Sequence, residues 1–523
     1  MSRTTRAAKG FATSIFQVIA QISVQALLAP IVLKMAGRET LGAYSAVMQV
    51  LAFISLTDFM GAWVLERYLG QAMGLDDGGA RFRCVFTTVR TVILFCACFF
   101  SLLVCVFSFY VGRFFQLSPH VAHEAQYALW TIAVWVILRS PLAAYQNASF
   151  ATQDMAAVNL IGTCAAIGRS VASLVFVLLG GGLFGLMISG TLVEGTVYFF
   201  YRLRFKKKNP DLMPKWGIPD KALLREMMGF GGHSVVMNLG NALLFNSGNM
   251  IAGLTNGAAM ASTFYTTQMP TMTAYNMLIR LSDSSMPAVN ELWGRREVER
   301  LRNALRRLTR ILLSLTMPLA TGVVLFNHDL VVTWVGVQQY AGTLLTVSLA
   351  AFCIVVALQR VAVVYSFSFG WMRILTTTGL IQGAANFALA YFLAKRVGLG
   401  GITLALVIVV LPQTVILWNR IGRFLEVNVL ALISGCFMRA LIPLGSAAIL
   451  SFFVHRMVVI RQRHFAGLFA ETLTFIVVYA SLAYPLVLFD HDRRDVNRYL
   501  GNILNRSKKA QGRLARAFGS SSN

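Results

Sequence analysis

The stretch RLRFKKKNPDLMPKWGIPDKALLR, residues 202–225, is the longest strongly polar interruption in an otherwise apolar chain. It lies near the middle of the 523 residues, and the sequence before it is echoed by the sequence after it. We interpret it as a basic cytoplasmic bridge between two homologous membrane lobes. The alternative is an ordinary basic loop of a membrane protein without internal symmetry. The repeat described below favours the bridge.

Apolar residues dominate the chain on both sides of this stretch. They make up 57% of the sequence, whereas charged residues make up only 13%. Apolar runs of about 20 residues recur along nearly the whole length, and each is long enough to cross a bilayer as a helix. The short alternating segments of a membrane barrel are absent from the sequence. We therefore predict an all-α polytopic membrane protein.

The formal net charge of +25 could indicate a nucleic-acid partner. The charges collect in the loops between apolar spans, so they indicate membrane topology instead, and we expect no nucleic-acid partner. The seven cysteines fall mostly inside predicted spans and form no CxxC pair. Neither a disulfide framework nor a zinc site is expected.

The apolar runs predict about fourteen transmembrane helices. The predicted spans are 11–33, 41–64, 85–111, 124–143, 157–179, 183–201, 229–254, 262–280, 305–326, 343–366, 373–395, 401–419, 428–454 and 466–489. An even number places both termini on the same side. Of the 46 Lys and Arg residues, 34 then fall in loops on the side of the termini and 8 in loops on the other side. This asymmetry predicts that both termini are cytoplasmic.

An internal repeat divides the spans into two sets of six. The segment GGGLFGLMISGTLVEGTVYFFYRLRF, residues 180–205, matches GLGGITLALVIVVLPQTVILWNRIGRF, residues 398–424, at an offset of 219. Each copy places a glycine-rich hairpin before the last helix of its lobe, and both copies have the same orientation. We predict two six-helix lobes related by a pseudo-two-fold axis along the membrane normal, plus two C-terminal helices. The predicted parts are a first lobe (1–201), the basic bridge (202–228), a second lobe (229–424), two further helices (425–490) and a basic cytoplasmic tail (491–523).

Polar residues inside the predicted spans are the first candidates for a site, because they are costly in a membrane. The first helix of each lobe carries a polar stripe along one face. The members are Gln17, Gln21 and Gln25 in the first span, and Asn238, Asn241, Asn246 and Asn249 in the seventh. We expect these stripes to face a central hydrated cavity. The alternative is that the amides hold helices together by hydrogen bonds.

Arg169 and Glu194 are the most specific candidates. They lie twelve residues before and thirteen residues after Gly181, so they are at similar depth near the middle of the membrane and could pair. Their counterparts in the second lobe are Ala388 and Gln413, so only the first lobe has this charge pair. A structural ion pair and a substrate site both remain open as interpretations.

A second set of charged residues lies near the predicted cytoplasmic ends of the spans. It consists of Arg67, Arg139, Arg280, Arg360, Asp58 and Asp283. The cations could receive a phosphate at a cytoplasmic mouth, or they could be anchors that reach the membrane surface. The segment 291–310 is amphipathic and arginine-rich, and we expect it to lie along the inner surface against anionic headgroups.

Motifs of membrane enzymes and pumps are absent from the sequence. There is no phosphate-binding glycine loop ending in GKS or GKT, no HExxH and no nucleophile elbow. We therefore predict a transporter rather than an enzyme. We expect no cofactor, although a coupling cation, H⁺ or Na⁺, is compatible with transport.

These features together resemble the polysaccharide-biosynthesis branch of the multidrug/oligosaccharidyl-lipid/polysaccharide exporter superfamily. The hairpin motifs GGGLFGLMISGTLVEG and GLGGITLALVIVVLPQ are similar to those of that branch, and the resemblance covers residues 11–490. It implies a flippase of the bacterial inner membrane that moves undecaprenyl-pyrophosphate-linked oligosaccharides to the outer leaflet by alternating access. It also implies a cationic cavity, a lipid-linked glycan as substrate, membrane lipids and polysaccharide polymerase machinery as partners, and C-terminal helices that accommodate the lipid tail.

Two other functions remain open in the same superfamily. One is a cation-coupled multidrug antiporter, which usually has twelve helices and acidic residues in its cavity. The charged residues within the predicted spans are mostly cationic here, which disfavours the antiporter. The other is a lipid II flippase, which performs the same chemistry for peptidoglycan.

Overall fold

The computed structural model describes residues 27–55, 62–73, 79–152, 154–214, 217, 219–459 and 464–487. Every regular element within these ranges is a helix, because the apolar runs satisfy their backbone hydrogen bonds internally, as a bilayer requires. The predicted all-α membrane fold class is confirmed. Residues 27–35 are helical, and we call them α1.

The remaining helices follow in chain order. They are α2 (Gly37–Ser55), α3 (Ala62–Met73), α4 (Ala80–Ser108), the short α5 (Val111–Phe114), α6 (Pro119–Ala151), α7 (Met155–Leu178), α8 (Gly182–Lys208), α9 (Lys221–Phe245), α10 (Gly248–Asn256), α11 (Ala258–Gly294), α12 (Val298–Val335), α13 (Thr343–Ser368), α14 (Met372–Val397), α15 (Gly400–Leu425), α16 (Val429–Val459) and α17 (His464–Leu486). Two single 3₁₀ turns lie at Pro210–Leu212 and Val337–Gln339.

Each predicted span from the second onward coincides with one of these helices or with two consecutive ones. Within the described ranges, nine helices are long and apolar enough to cross a membrane. The total of fourteen crossings therefore stays a prediction. The predicted seventh span is two helices, α9 and α10, which are separated at Asn246 and Ser247.

The arginine-rich segment 291–310 differs from its prediction. α11 ends at Gly294, and α12 then runs without interruption for 38 residues from Val298. At 1.5 Å per residue α12 is about 57 Å long, well beyond the roughly 30 Å of hydrocarbon. A separate helix along the membrane surface is thus wrong, because most of the basic segment is continuous with a membrane span.

The chain packs as two compact units. The first comprises Met1–Ala274, Asn327–Val355 and Phe369–Thr414, and the second comprises Tyr275–Phe326, Val356–Ser368 and Val415–Asn523. The lobe and bridge boundaries read from the sequence stay predictions.

An aromatic cluster is the core of the first unit near the bridge. Phe86 of α4 lies 5.0 Å from Tyr145 of α6 and 5.7 Å from Phe205 of α8, measured between ring centroids. Leu223 and Met227, at the start of α9, are buried in the same cluster. The residues before and after the bridge therefore pack in one cluster.

Polar contacts also fix the bridge. Arg83 of α4 donates to the Asp211 carbonyl at 2.9 Å. Asp220 accepts from the backbone N–H groups of Ala222 and Leu223 at 2.9 and 3.2 Å, which caps the N-terminus of α9. The basic stretch is thus anchored at both ends.

Asp154, just before α7, ties the α6–α7 connection to the end of α8. It accepts from Arg204 Nε and Nη2 at 2.8 and 3.2 Å and lies 3.3 Å from Lys208 Nζ. The Arg204 hydrogen bonds hold the pKa of this carboxyl below its ordinary value, and the charge of Lys208 acts in the same direction against the effect of burial. The ionised carboxylate is therefore the form that stabilises the fold.

We expect Asp154→Asn to lower stability at neutral pH by about 1 kcal/mol, because Arg204 is half-exposed. A lowered pKa stabilises the fold above the unfolded value of about 3.9 and stops doing so as the pH falls through the folded value. The melting-temperature difference from wild type should therefore be constant between about pH 5 and 8 and shrink below about pH 4. Asp211→Asn, at an exposed position, is the control. A difference that persists unchanged at low pH would contradict the prediction.

The glycine hairpin between α7 and α8 requires glycine for two reasons. Gly180 and Gly182 have φ of +80° and +50°, in the left-handed region that disfavours a Cβ. Glu124 of α6 accepts from the Leu183 N–H at 2.6 Å and so caps the first turn of α8. A Cβ on Gly182 would overlap this carboxylate.

We expect Gly182→Ala to destabilise the protein by about 2–3 kcal/mol, from backbone strain plus displacement of the Glu124 cap. Gly180→Ala is the matched control, because it has the same sign of φ but nothing within 4 Å of the added Cβ. It should cost only about 1 kcal/mol of strain. Thermal unfolding in detergent measures both, and equal losses would show that the cap contributes nothing.

The second unit contains the C-terminal hairpin of α16 and α17. Tyr479 of α17 donates to the Ser314 carbonyl of α12 at 2.6 Å, and Phe475 lies 5.6 Å from Phe326. Glu471, which is buried in α17, lies 3.1 Å from His455 of α16. The hairpin is thereby fastened to α12.

Candidate functional site

The charge pair predicted from the sequence forms in the structure. Arg169 Nη1 of α7 lies 3.3 Å from Glu194 Oε1 of α8. The prediction that these two side chains meet is confirmed, since the hairpin places them at equal depth. Neither is fully covered, with 41% of the Arg169 side chain and 34% of the Glu194 side chain exposed.

Arg139 of α6 joins the pair, which corrects its grouping with the cytoplasmic-mouth residues. Its Nη1 lies 2.9 Å from the second oxygen of Glu194, and its guanidinium lies 5.5 Å from the centre of the Tyr198 ring. Its Nε is buried and makes no hydrogen bond within the part of the chain that the structure describes. We call Arg139, Arg169 and Glu194 the charged cluster.

Close helix contacts fix the charged cluster. Trp135, one turn before Arg139, donates its indole N–H to the Thr191 carbonyl at 2.7 Å. A Cβ on Gly195 would lie 2.5 Å from the Trp135 ring, so only glycine lets α6 and α8 approach this closely. On the other side, the hydroxyls of Ser173 and Ser189 lie 2.7 Å apart and join α7 to α8.

The composition of the charged cluster determines what it can bind. Two guanidinium groups share one carboxylate, so the three side chains carry one net positive charge. Guanidinium groups present several N–H donors in a plane and bind phosphate oxygens in pairs. Arg169 can leave Glu194 without leaving the acid unpaired, because Arg139 still holds it. The geometry suits reversible binding of an anion.

The polar stripes are only partly described. Gln17, Gln21 and Gln25 lie outside the described residues. Asn238 and Asn241 on α9, and Asn246 directly after its end, are exposed, and the cavity interpretation stays a prediction for them. Asn249 differs: it is buried in α10 and accepts from Gln268 Nε2 at 3.0 Å, so at this position the helix-joining interpretation is correct.

The other residues predicted at the cytoplasmic mouth do not form one group. In the second unit, Arg360 Nε donates to Asp283 Oδ1 at 2.6 Å, so these two neutralise each other. Arg280 is exposed. Asp58 and the side chain of Arg67 lie outside what the structure describes.

Two polar residues at the break between α9 and α10 were not identified from the sequence. Gln49 of α2 accepts from the Met250 N–H at 2.9 Å, at the start of α10. Asn386 of α14 donates to the carbonyls of Leu243 and Leu244 at 3.2 and 3.1 Å, at the end of α9. Broken membrane helices need such partners for their free backbone groups. The sequence signal for both residues was an amide side chain inside a predicted span, the second span for Gln49 and the eleventh for Asn386.

A tight contact within the first unit joins the two predicted lobes. The Gly42 Cα of α2 lies so near α11 that a Cβ would overlap the Ala258 carbonyl oxygen. Ala258 N also donates to the Phe115 carbonyl at 3.2 Å. Arg38 donates to Thr263 Oγ1 and to a carbonyl in the loop before α13, both at 3.0 Å. We call these interactions the closure contact.

A bundle of membrane-length helices with a charged cluster among them is the architecture of a multi-pass membrane transporter or flippase. A family model described as "Polysaccharide biosynthesis protein" matches residues 31–343, more than half of the chain. The chain belongs to this family. No curated protein matches the chain significantly in sequence.

Solved structures show the same fold at low identity. The lipid II flippase MurJ, in an inward closed conformation, is 12% identical and has a TM-score of 0.65 over 91% of this chain and 98% of its own. An inward-facing multidrug resistance MATE family transporter of the MOP superfamily is 15% identical, with a TM-score of 0.63 over 79% and 98%. A MOP superfamily transporter from Pyrococcus furiosus is 14% identical, with a TM-score of 0.52 over 81% and 96%. The predicted polysaccharide-biosynthesis family is confirmed by the family match, and these structures show that the fold is shared.

Proposed function

We propose that this protein is a flippase that moves undecaprenyl-pyrophosphate-linked oligosaccharide from the inner to the outer leaflet, for cell-surface polysaccharide biosynthesis. It would lie in a bacterial inner membrane with both termini in the cytoplasm. Its partners would be the lipid-linked glycan, membrane lipids and polysaccharide polymerase machinery. A coupling cation, H⁺ or Na⁺, is compatible with this function.

The charged cluster is the observation that carries the proposal. An excess of cations within membrane-spanning helices is costly unless an anion compensates it during function. A pyrophosphate supplies that anion, and a polysaccharide-biosynthesis family handles glycans carried on such groups. A multidrug antiporter for cationic dyes would have no use for a net positive site.

Partner exchange at Glu194 would couple binding to movement. Glu194 holds both arginines, at 2.9 and 3.3 Å. A pyrophosphate that arrives would compete for Arg169, the more exposed of the two, while Arg139 keeps the carboxylate neutralised. Release of Arg169 from α8 would loosen α7 from α8 and favour rearrangement of the first lobe.

Alternating access would use the closure contact as its outer seal. In the predicted topology, Arg38 lies in the first outside loop and Gly42 lies at the start of the second span. The glycan would therefore enter from the cytoplasm and leave when α2 separates from α11.

The test uses purified protein in liposomes that contain a fluorescent undecaprenyl-pyrophosphate-linked oligosaccharide. We expect protein-dependent exposure of the label to an outside quencher, and none for a fluorescent lipid II or a cationic dye. Exposure of lipid II alone would identify a lipid II flippase. Proton-gradient-driven dye efflux without glycan exposure would identify a multidrug antiporter and overturn the proposal.

A further inference from the structure

An apolar groove of about 350 Å³ lies between α6 and α8. Its walls include Trp130, Val134 and Trp135 from α6 and Ile188, Thr191 and Leu192 from α8. The groove is open along one side, where 61% of Val134 is exposed. No part of the charge-based proposal above uses it.

The groove is preformed because its two indole rings are held in place. Trp130 donates its ring N–H to Ser108 Oγ of α4 at 2.8 Å, and Trp135 donates to the Thr191 carbonyl at 2.7 Å. The Trp135 ring also rests on Gly195, which has no side chain to displace it. A ligand would find these walls in position and lose little free energy in ordering them.

The groove lies next to the charged cluster on both helices. Trp135 forms its end, and Arg139 follows one turn later on α6, about 6 Å along the helix axis. On α8, Glu194 lies three positions after the groove residue Thr191, so these two side chains are neighbours on the helix surface. A single molecule could therefore place an anionic group at the arginines and an aliphatic chain between the two tryptophans.

The direction of the groove matches a lipid of the inner leaflet. From the charged cluster it runs toward the start of α8 at the glycine hairpin, which is the outer side in the predicted topology. A lipid in the inner leaflet points its headgroup to the cytoplasm and its chain toward the opposite leaflet. A headgroup at the charged cluster and a chain in the groove have this same orientation.

We propose that the groove between α6 and α8 binds the first isoprene units of a polyprenyl diphosphate whose diphosphate is held at the charged cluster by Arg169. The proposal rests on the proposed function and specifies where the carrier chain lies. Unlike an ordinary phospholipid, a polyprenyl diphosphate joins its anionic group directly to its chain, so one molecule can occupy the charged cluster and the groove together.

A photo-crosslinking experiment tests the site in the full-length protein. A benzophenone amino acid replaces Val134, and the control places it at Val347 of α13, which is 54% exposed in another apolar span. The probe is tritiated undecaprenyl diphosphate in nanodiscs. We expect at least fivefold more labelling at position 134 than at position 347, with competition by unlabelled undecaprenyl diphosphate and not by phosphatidylglycerol. Equal labelling, or equal competition by phosphatidylglycerol, would overturn the proposal.

A variant that fills the groove provides a second measurement. Val134→Trp should weaken binding of undecaprenyl diphosphate about tenfold, whereas Val347→Trp should leave it unchanged. Unchanged binding in both variants would also contradict the groove assignment.

The outcomes separate this inference from the proposed function. If wild-type protein exposes the lipid-linked glycan in liposomes but position 134 is not labelled, only the groove assignment fails. If position 134 is labelled selectively but no glycan is exposed, the groove stands and translocation fails.

Discussion

Glu194→Ala is expected to reduce the yield of monodisperse protein several-fold, whereas Arg169→Ala is expected to leave that yield near wild type. The reason is the two-to-one composition of the charged cluster. Loss of Arg169 leaves a neutral pair, because Arg139 remains 2.9 Å from Glu194. Loss of Glu194 leaves two guanidinium groups side by side among membrane-spanning helices with no acid between them, which is strongly unfavourable.

Transport should respond differently from folding. Each charge-assisted hydrogen bond to a phosphate contributes about 1.5–3 kcal/mol, so Arg169→Ala should weaken apparent substrate affinity about 10- to 100-fold. Fluorescence-detected size exclusion measures folding, and the liposome assay measures transport. Arg113→Ala, on an exposed position of α5, is the matched control and should change neither.

A double variant separates charge balance from substrate binding. Arg139→Ala with Glu194→Ala restores a single positive charge, so its yield should recover relative to Glu194→Ala alone. If Glu194→Ala is as well folded as Arg169→Ala, the charge-balance account is wrong. If Arg169→Ala and the Arg169→Ala/Glu194→Ala double variant both transport at the wild-type rate, partner exchange at Glu194 is wrong.

Gly42→Ala is expected to lower transport at least tenfold by preventing the closure contact. The added Cβ would meet the backbone of Ala258 and Ser262 in α11, and backbone atoms cannot move aside as a flexible side chain can. The two helices must then separate at this point. The state that is closed at this end should be depleted, and alternation between states should stop.

A cysteine reporter shows whether the helices separate. Ser262 is fully buried beside Gly42, and Ser262→Cys can be introduced after the seven native cysteines are replaced. A membrane-impermeant maleimide added outside should label it slowly in the otherwise unchanged protein and at least tenfold faster with Gly42→Ala. Gly162→Ala, on α7 with nothing within 4 Å of the added Cβ, is the control. Equal labelling in all three proteins would contradict the closure assignment.

The sequence by itself determined the helical membrane class, because apolar runs of bilayer length have few other ways to satisfy their backbone hydrogen bonds. It also predicted that Arg169 and Glu194 could pair, as they do in the structure. Both lie on one hairpin, so equal spacing from Gly181 fixes equal depth. Such local relations depend on helical rise alone and can be read from residue numbers.

Contacts between helices that are distant in sequence could not be read in this way. The position of Arg139 depends on the rotation and register of α6 against α8, which Trp135 and Gly195 fix by close contact. A single sequence contains no signal for that register, so Arg139 was grouped by its distance from a helix end. The groove beside it arises from the same contact.

The closure contact was decided by tertiary structure for a similar reason. Gly42 is one of 42 glycines, and its own φ does not demand glycine. Only the approach of α2 to α11, more than 200 residues away in sequence, leaves no room for a side chain. Periodicity and hydropathy therefore determined which segments are membrane helices. Side-chain shape at the contacts between helices determined which charges meet, where the apolar groove lies and where the two predicted lobes touch, because close contact depends on both partners at once.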